Sequence, residues 1–400
     1  MSKHNIQHFF RFKRVKIREF GVSGDAKITQ VKLEPDKRYL PVCSGCKKKV
    51  RSIHSYENRT IRDMLMMESI VLIILRYRKV RCPDCGIRIE HHDFVDPYAR
   101  YTRRLAQFVF KLCEHMTLKD VAELLHMSWH QVKEIDKSEL KKRYQNRNFD
   151  GVKILSIDEI SIRKHHKYLT IICDFESGEV IGVAENRDYP ALANFLKNLP
   201  IEVRQNIEAV AIDMWDPYIK AIKEHLPNAD IVFDLFHVTA AFSRLIDKVR
   251  NIEYRKADPA LKNLMKGSRF LLLKNPHNLK IDEQPRLKAI LKSNEPLSLL
   301  YILKDYLKRL WQYRYRTAAE NFLNYWSELA LQSGLQPLCK FVNMLFNYSY
   351  GILNHCKYQI HTGKLEGINN KIKVIKRKAY GYHDLDYFAF KIMHATATNS

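Results

Sequence analysis

Three stretches of this chain each offer a carboxylate in surroundings suited to a divalent cation. Asp158 lies in ILSIDEIS (154–161), Asp213 in AVAIDMWD (209–216), and Glu366 near the start of KLEGINNKIKVIKRKAYGY (364–382). The first two segments read as apolar strands ending in Asp, where a carboxylate needs a partner or a metal. The third reads as a basic helix. Carboxylates from three distant segments could converge on two cations roughly 3.5–4 Å apart, one activating the attacking oxygen of a phosphodiester reaction and one stabilising the leaving oxygen. Mg²⁺ or Mn²⁺ suits such ligands, keeping water and substrate phosphate for the rest of its shell. Other acids have plainer readings: Asp174 and Asp188 as turn or cap residues, and Asp216 as the cap before Pro217.

The basic helix has two sides at 100° per residue. Leu365, Ile368, Ile372, Ile375 and Ala379 form an apolar arc, while Glu366, Asn370, Lys373 and Arg377 lie opposite. An acid, an amide and two bases in line suit a metal beside a DNA backbone. Gly381 follows as a C-cap.

A second metal chemistry is written in the cysteines. Four of the eight form two CxxC pairs, Cys43/Cys46 in PVCSGC and Cys82/Cys85 in VRCPDCG. Four thiolates in such turns suit a closed, tetrahedral, structural Zn²⁺ site. A redox pair or chance spacing is the competing reading; His54 lies nearby and could replace one thiolate, but reads better as a surface residue or one beside the ligands. Cys113, Cys173, Cys339 and Cys356 stand alone in apolar surroundings and read as core residues.

The elements that must position these groups follow in order. A strand over 69–81 leads into the second cysteine pair. Leu105, Phe108, Val109 and Leu112 mark a helix over 103–115. Thr117, with Asp120 completing a capping box, starts a short helix, and the Met127-Ser128 turn leads to a longer one. This is a helix-turn-helix layout. It points Trp129, His130, Gln131 and Lys133 at the major groove, and Lys141, Lys142 and Arg143 at phosphates. After a turn-rich linker (146–151) come strands at 153–158, 167–174 and 179–185, a helix at 189–198, a strand at 208–213, a helix at 216–225 and a strand at 230–234. An antiparallel meander continued by parallel crossovers is an RNase H-like order. Residues 238–350 read as all-helical.

A formal net charge of +24, from 68 Lys plus Arg against 44 Asp plus Glu, calls for a polyanionic partner. Nucleic acid fits better than an anionic membrane or an acidic protein. No apolar run reaches the roughly 20 residues of a membrane span, and the start MSKHNIQHFFRFKRV lacks a signal-peptide pattern. A cytosolic protein is expected.

Taken together, LSIDEISIRKHHKYLTIICDFESGEVIGV, AIDMWDPYIKAIKEHLPNADIVFDLFHV and KLEGINNKIKVIKRKAYGY resemble the blocks of ISL3-family DDE transposases of bacterial insertion sequences. The upstream cysteine pairs and helix-turn-helix are similar to that family's zinc- and DNA-binding modules. The resemblance implies that Asp158, Asp213 and Glu366 form the DDE triad, and that the helical stretch is an insertion within the catalytic core. It also places Asp234 and His237, in DLFH, near the active site, where they could orient the scissile phosphate or a flipped base; read from the residues alone, Asp234 could be a strand-end cap and His237 a first-turn helix residue.

The expected architecture is therefore multidomain α/β: a zinc-binding module (1–98), a helix-turn-helix domain (99–147), and an RNase H-like core (148–238 and 351–400) interrupted by a helical insertion (239–350). Its partners would be double-stranded transposon ends and target DNA, held by a homodimer or larger synaptic complex in the bacterial cytoplasm. Its reaction would be metal-dependent strand cleavage and transfer. Two rival readings share parts of the pattern. An RNase H-like nuclease or resolvase would not need two upstream recognition modules, and a non-enzymatic DNA-binding regulator with a vestigial core would not need all three acids.

Overall fold

The computed structural model describes residues 8–147, 149–163, 167–360 and 363–397. The chain's basic start (1–7) and Asn148 of the expected linker lie outside the described residues. The chain divides into two compact units, Met1–Arg147 and Asn148–Ser400.

In the first unit, alternating apolar positions build a five-stranded sheet from β1 (Val15–Val22), β2 (Ile28–Pro35), β3 (Ile53–Arg62), β4 (Ile70–Cys82) and β5 (Gly86–Ile89). The order is β1-β2-β4-β3, with β5 also on β4, and only the β2–β4 pairing is parallel. Val31, Leu33, Ile61, Ile73 and Leu75 form its buried apolar layer. The sequence reading anticipates β4 alone. β1 and β3 escape it because they are largely exposed and carry charges among their apolar residues.

Three helices follow: α1 (Arg103–His115), α2 (Leu118–Leu124) and α3 (Trp129–Tyr144). Their starts match the sequence signals. Thr102 accepts from the Leu105 N–H, while Thr117/Asp120 and Ser128/Gln131 close complete capping boxes. Leu105, Val109, Val121, Val132 and Ile135 form the core between them.

The second unit is built on a mixed sheet ordered β10-β9-β6-β7-β8. β6 (Ile154–Arg163), β7 (Lys167–Asp174) and β8 (Val180–Glu185) form an antiparallel meander. The helices α4 (Tyr189–Asn198) and α5 (Ile201–Asn206) carry the chain to β9 (Ala209–Ile212), and α6 (Asp216–His225) carries it on to β10 (Asp230–Phe233). β9 lies parallel to β6, and β10 parallel to β9. Two details correct the sequence reading. β6 does not end at Asp158 but continues to Arg163, because its pairing with β7 runs that far. Asp216 is not the cap of α6: Trp215 holds that position, and Asp216 accepts instead from the Tyr348 hydroxyl at 3.1 Å.

A helical array follows, comprising α7 (Leu235–Lys256), α8 (Pro259–Met265), α9 (Arg269–Leu273), α10 (Glu283–Ser293), α11 (Glu295–Leu307), α12 (Arg316–Gln332), α13 (Gln336–Asn347) and α14 (Ser349–Ile352). Its apolar side chains join those of one sheet face in a continuous core, with Trp326, Phe242 and Phe341 in ring contact at its centre. The opposite sheet face is covered by α15 (Gly363–Lys378) and α16 (Leu385–Thr396). There Leu365, Ile368, Ile372, Phe388 and Ile392 pack on Ile160, Ile162, Leu169 and Ile171. The apolar arc of α15 is thus buried as expected up to Ile372, with Ile375 partly covered, whereas Ala379 is exposed past the helix end. Gly381, at φ +108°, turns the chain and donates its N–H to Lys376 at 3.0 Å.

Candidate active site

β6 pairs with β9 only through Ile154–Ser156, and β9 stops at Ile212. Beyond that point no strand among the described residues pairs with β6 on this side, and Asp213 follows directly on β9. Asp158 shares the face of β6 that carries Ile160 and Ile162, the face covered by α15. Glu159 leaves by the opposite face, with Leu155 and Ile157. At the uncovered edge the Asp158, Glu159 and Asp213 carboxylates each bring an oxygen within 4.8 Å of the others.

Neighbouring side chains hold each acid. Asn369 on α15 donates to Asp158 at 2.6 Å, and the Glu159 N–H donates to it at 2.8 Å. His237, in the first turn of α7, binds Asp213 through Nε2. Arg187 lies 3.4 Å from Glu159, with its guanidinium over the rings of Tyr168 and Trp215. The Trp215 indole N–H donates to the Arg187 carbonyl at 3.0 Å.

Charge is concentrated here. Burial raises the proton affinity of Asp158 and outweighs the Asn369 and Glu159 N–H bonds, with Asp213 adding to the rise. Burial also raises that of Glu159, as do Asp213 and Asp158. His237 would lose its proton readily through burial, but its bond to Asp213 and the surrounding acids tip it the other way. Three crowded, half-buried carboxylates with hard oxygen donors fit a divalent cation, which would relieve their repulsion.

Glu366 does not join this group. It is exposed on α15, one turn before Asn369 and therefore on the same side of the helix. Asn370, Lys373 and Arg377 are exposed further along α15. The helix start is pinned by Lys364, which donates to the carbonyls of Glu176 at 3.0 Å and Phe175 at 3.3 Å. Asp234 occupies the N-cap position of α7, without a capping side-chain bond. Asp174 and Asp188 have the structural roles expected of them, binding the 176–177 turn and capping α4.

Sequence reasoning missed Glu159, Asn369 and Arg187. Strand alternation assigns Glu159 to the wrong face for Asp158, and only the early end of β9 lets the two meet. Asn369 borders the expected polar arc, one position from Asn370.

In the first unit, Cys43, Cys46, Cys82 and Cys85 form a second group with sulfurs within 4.8 Å of one another. The Gly45 N–H points at Cys43 Sγ from 3.4 Å, and a Cβ on Gly45 would come within 3.0 Å of Cys85 Sγ. The backbone is therefore wrapped around the thiols as a tetrahedral thiolate site requires. Burial opposes ionisation of Cys43, but the Cys46 and Gly45 N–H groups bring it down to about 7. Bonding to Cys46, with burial, pushes Cys85 up to about 12. A Zn²⁺ ion would ionise all four. His54 is exposed and beside Ser55, outside the group.

On α3, Trp129 is 61% exposed, and His130 and Gln131 are exposed beside it. The Gln131 side-chain oxygen also accepts from the Ser128 N–H. Lys133 is turned mostly inward near Glu134. Lys141 is exposed, Lys142 binds Glu139 at 2.7 Å and Asp96 at 2.9 Å, and Arg143 sits over the Phe110 ring.

Known families match this chain throughout. Residues 155–392 match the transposase model of the ISL3 DDE type, 90–139 the helix-turn-helix domain of transposase family ISL3, and 40–85 the zinc-finger of transposases IS204/IS1001/IS1096/IS1165. The chain belongs to the ISL3 family of DDE transposases, DNA-binding enzymes with a helix-turn-helix domain and a zinc ribbon. It is 37% identical to the transposase for insertion sequence element IS1001 of Bordetella parapertussis, over 92% of this chain and 91% of that protein. It is 23% identical to the transposase for insertion sequence element IS1557 of Mycobacterium tuberculosis, over 90% of this chain and 86% of that one. Among the described residues, no helix is long and apolar enough to cross a membrane.

Proposed function

We propose that the second unit is an RNase H-like phosphoryl-transfer core, 148–238 with 351–400, interrupted by a helical insertion at 239–350. The first unit, in this reading, recognises the terminal inverted repeats of an insertion sequence through a zinc module (1–98) and a helix-turn-helix (99–147). The observation that carries it is the meeting of Asp158 and Asp213 at the uncovered edge of β6, in a chain of this family.

Asp158 and Asp213, with Glu366 as the third acid from α15, would hold the divalent metal, Mg²⁺ or Mn²⁺, and Glu159 would stand beside them. Bound metal supplies activation of the attacking oxygen and stabilisation of the leaving one. The protein's part is to fix the oxygens in advance. His237 sets the Asp213 carboxylate, Asn369 sets Asp158, and Arg187 sets Glu159. Water attacks first, freeing a 3′-OH at the element's end, and that hydroxyl then attacks target DNA, so no side-chain nucleophile is needed. Joining two ends calls for a homodimer or larger synaptic assembly.

The test is incubation with the DNA flanking the element, mapping Mg²⁺-dependent 3′-OH ends. Asp213→Asn should abolish cleavage and leave end binding intact. Normal cleavage by that variant would sink the assignment, and cutting selective for junctions rather than for one end sequence would favour a resolvase.

A further inference from the structure

Arg187, beside the acid cluster, is held more firmly than its bond to Glu159 requires. It lies between the end of β8 and Asp188, the cap of α4. Asn186, just before it, has a left-handed backbone at φ +73°, a conformation Asn tolerates better than most residues. The Asn186 carbonyl accepts from the Thr170 hydroxyl at 2.6 Å, and its N–H donates to the Tyr168 carbonyl at 2.9 Å. The Arg187 carbonyl accepts from the Trp215 indole, and the Trp215 backbone N–H donates to the Asp213 carbonyl at 2.7 Å. The backbone around Arg187 is thus tied both to β7 and to the acid-bearing segment after β9.

The side chain is fixed as well. Its guanidinium carbon stands 4.4 Å from the centre of the Tyr168 ring and 5.0 Å from that of Trp215. Two ring contacts fix in advance the freedom that an Arg would otherwise lose on meeting a ligand. A guanidinium carries five N–H donors in a planar fork. Among the described residues only Nη1 has an acceptor, Glu159 at 3.4 Å, which is long for a charge-assisted bond. The side chain is 39% exposed, so donors remain that a ligand can reach.

We propose that Arg187 binds a non-bridging oxygen of the phosphate at which the DNA strand is cut, as a catalytic residue beside the acids. The Glu159 carboxylate spans the two groups, 3.4 Å from Arg187 on one side and within 4.8 Å of the Asp158 and Asp213 oxygens on the other. A phosphate lying against these acids is therefore within the fork's reach. The guanidinium is always charged and its planar fork matches phosphate oxygens. Held in place beforehand, it meets the charge that builds on those oxygens without reorganising. This inference rests on the phosphoryl-transfer reading of the neighbouring acids.

Cleavage by the full chain is measured in Mn²⁺ on end DNA with a natural phosphate at the cut, or with a phosphorothioate of either handedness there. Each phosphorothioate replaces one non-bridging oxygen by sulfur. Arg187→Ala should cut the natural phosphate about 100- to 1,000-fold more slowly, with end binding unchanged. Arg187→Lys, which keeps the charge but not the fork, should recover only part of that loss. Sulfur is a weak acceptor, so one handedness should shrink the alanine penalty at least about tenfold, while the other leaves it whole. An equal penalty on all these substrates means that Arg187 acts only through Glu159, and overturns the proposal. Natural-phosphate cleavage by Arg187→Ala within about threefold of the unaltered chain also overturns it. If the alanine variant no longer binds ends, the lysine variant is compared in the same way. If the unaltered chain cuts none of these substrates, the functional reading falls and takes this inference with it.

Discussion

Asp158 and Glu159 are adjacent residues that leave opposite faces of one strand, yet their carboxylates meet where β9 no longer covers β6. That geometry makes Asn369 a positioning residue. Asn369→Ala frees the Asp158 carboxylate, so Mn²⁺ affinity and cleavage should each fall about 10- to 100-fold. End binding should not change, and calorimetric metal titration beside a DNA-binding assay separates the two. A second residue-scale effect lies in the first unit. His92 is 3% exposed, and neither ring nitrogen has a partner among the described residues. Burial, with the positive charges of Arg59, Arg78, His91 and Arg14, holds its imidazole down at about 3 instead of 6.5. The unfolded chain therefore takes up the proton first. Stability is full above pH 6.5 and falls by about 1.4 kcal/mol per unit as pH drops toward 3. Urea unfolding at about pH 7 and about pH 5.5 should show this loss in the natural chain and not in His92→Leu.

At the scale of elements, capping chemistry made the helix-turn-helix legible. The Thr117/Asp120 box stands where its residue types announced it, and the expected Met127-Ser128 turn leads into α3, with Ser128 as its cap. Thr117→Ala should cost about 1 kcal/mol, read as a lowered urea midpoint, because the α2 amides lose their acceptor. The meander and crossovers of the second sheet were equally readable, since their strands are apolar runs bounded by turns. What escaped reading depended on contacts between distant elements. β1 and β3 are held by pairing more than by burial, and β6 continues past Asp158 because β7 is there to pair with it. Glu366 was legible as an acid at the start of α15. Yet Asn369 makes the contact with Asp158, because the helix meets the sheet through Leu365, Ile368 and Ile372 and presents the side next to them.

For the whole molecule, a net charge of +24 makes affinity for DNA an ionic-strength question. If six to ten phosphates are neutralised, binding to end DNA should weaken about 10³- to 10⁵-fold between about 50 and 200 mM salt. A slope near zero in filter-binding assays would contradict the electrostatic reading. The division after Arg147 has a consequence in time. Domains fold as they leave the ribosome, at about 5–20 residues per second. The first unit, with its cysteine group and helix-turn-helix, is complete about 10–50 s before Asn369 is synthesised. A nascent chain would therefore carry its helix-turn-helix before its acid cluster can form.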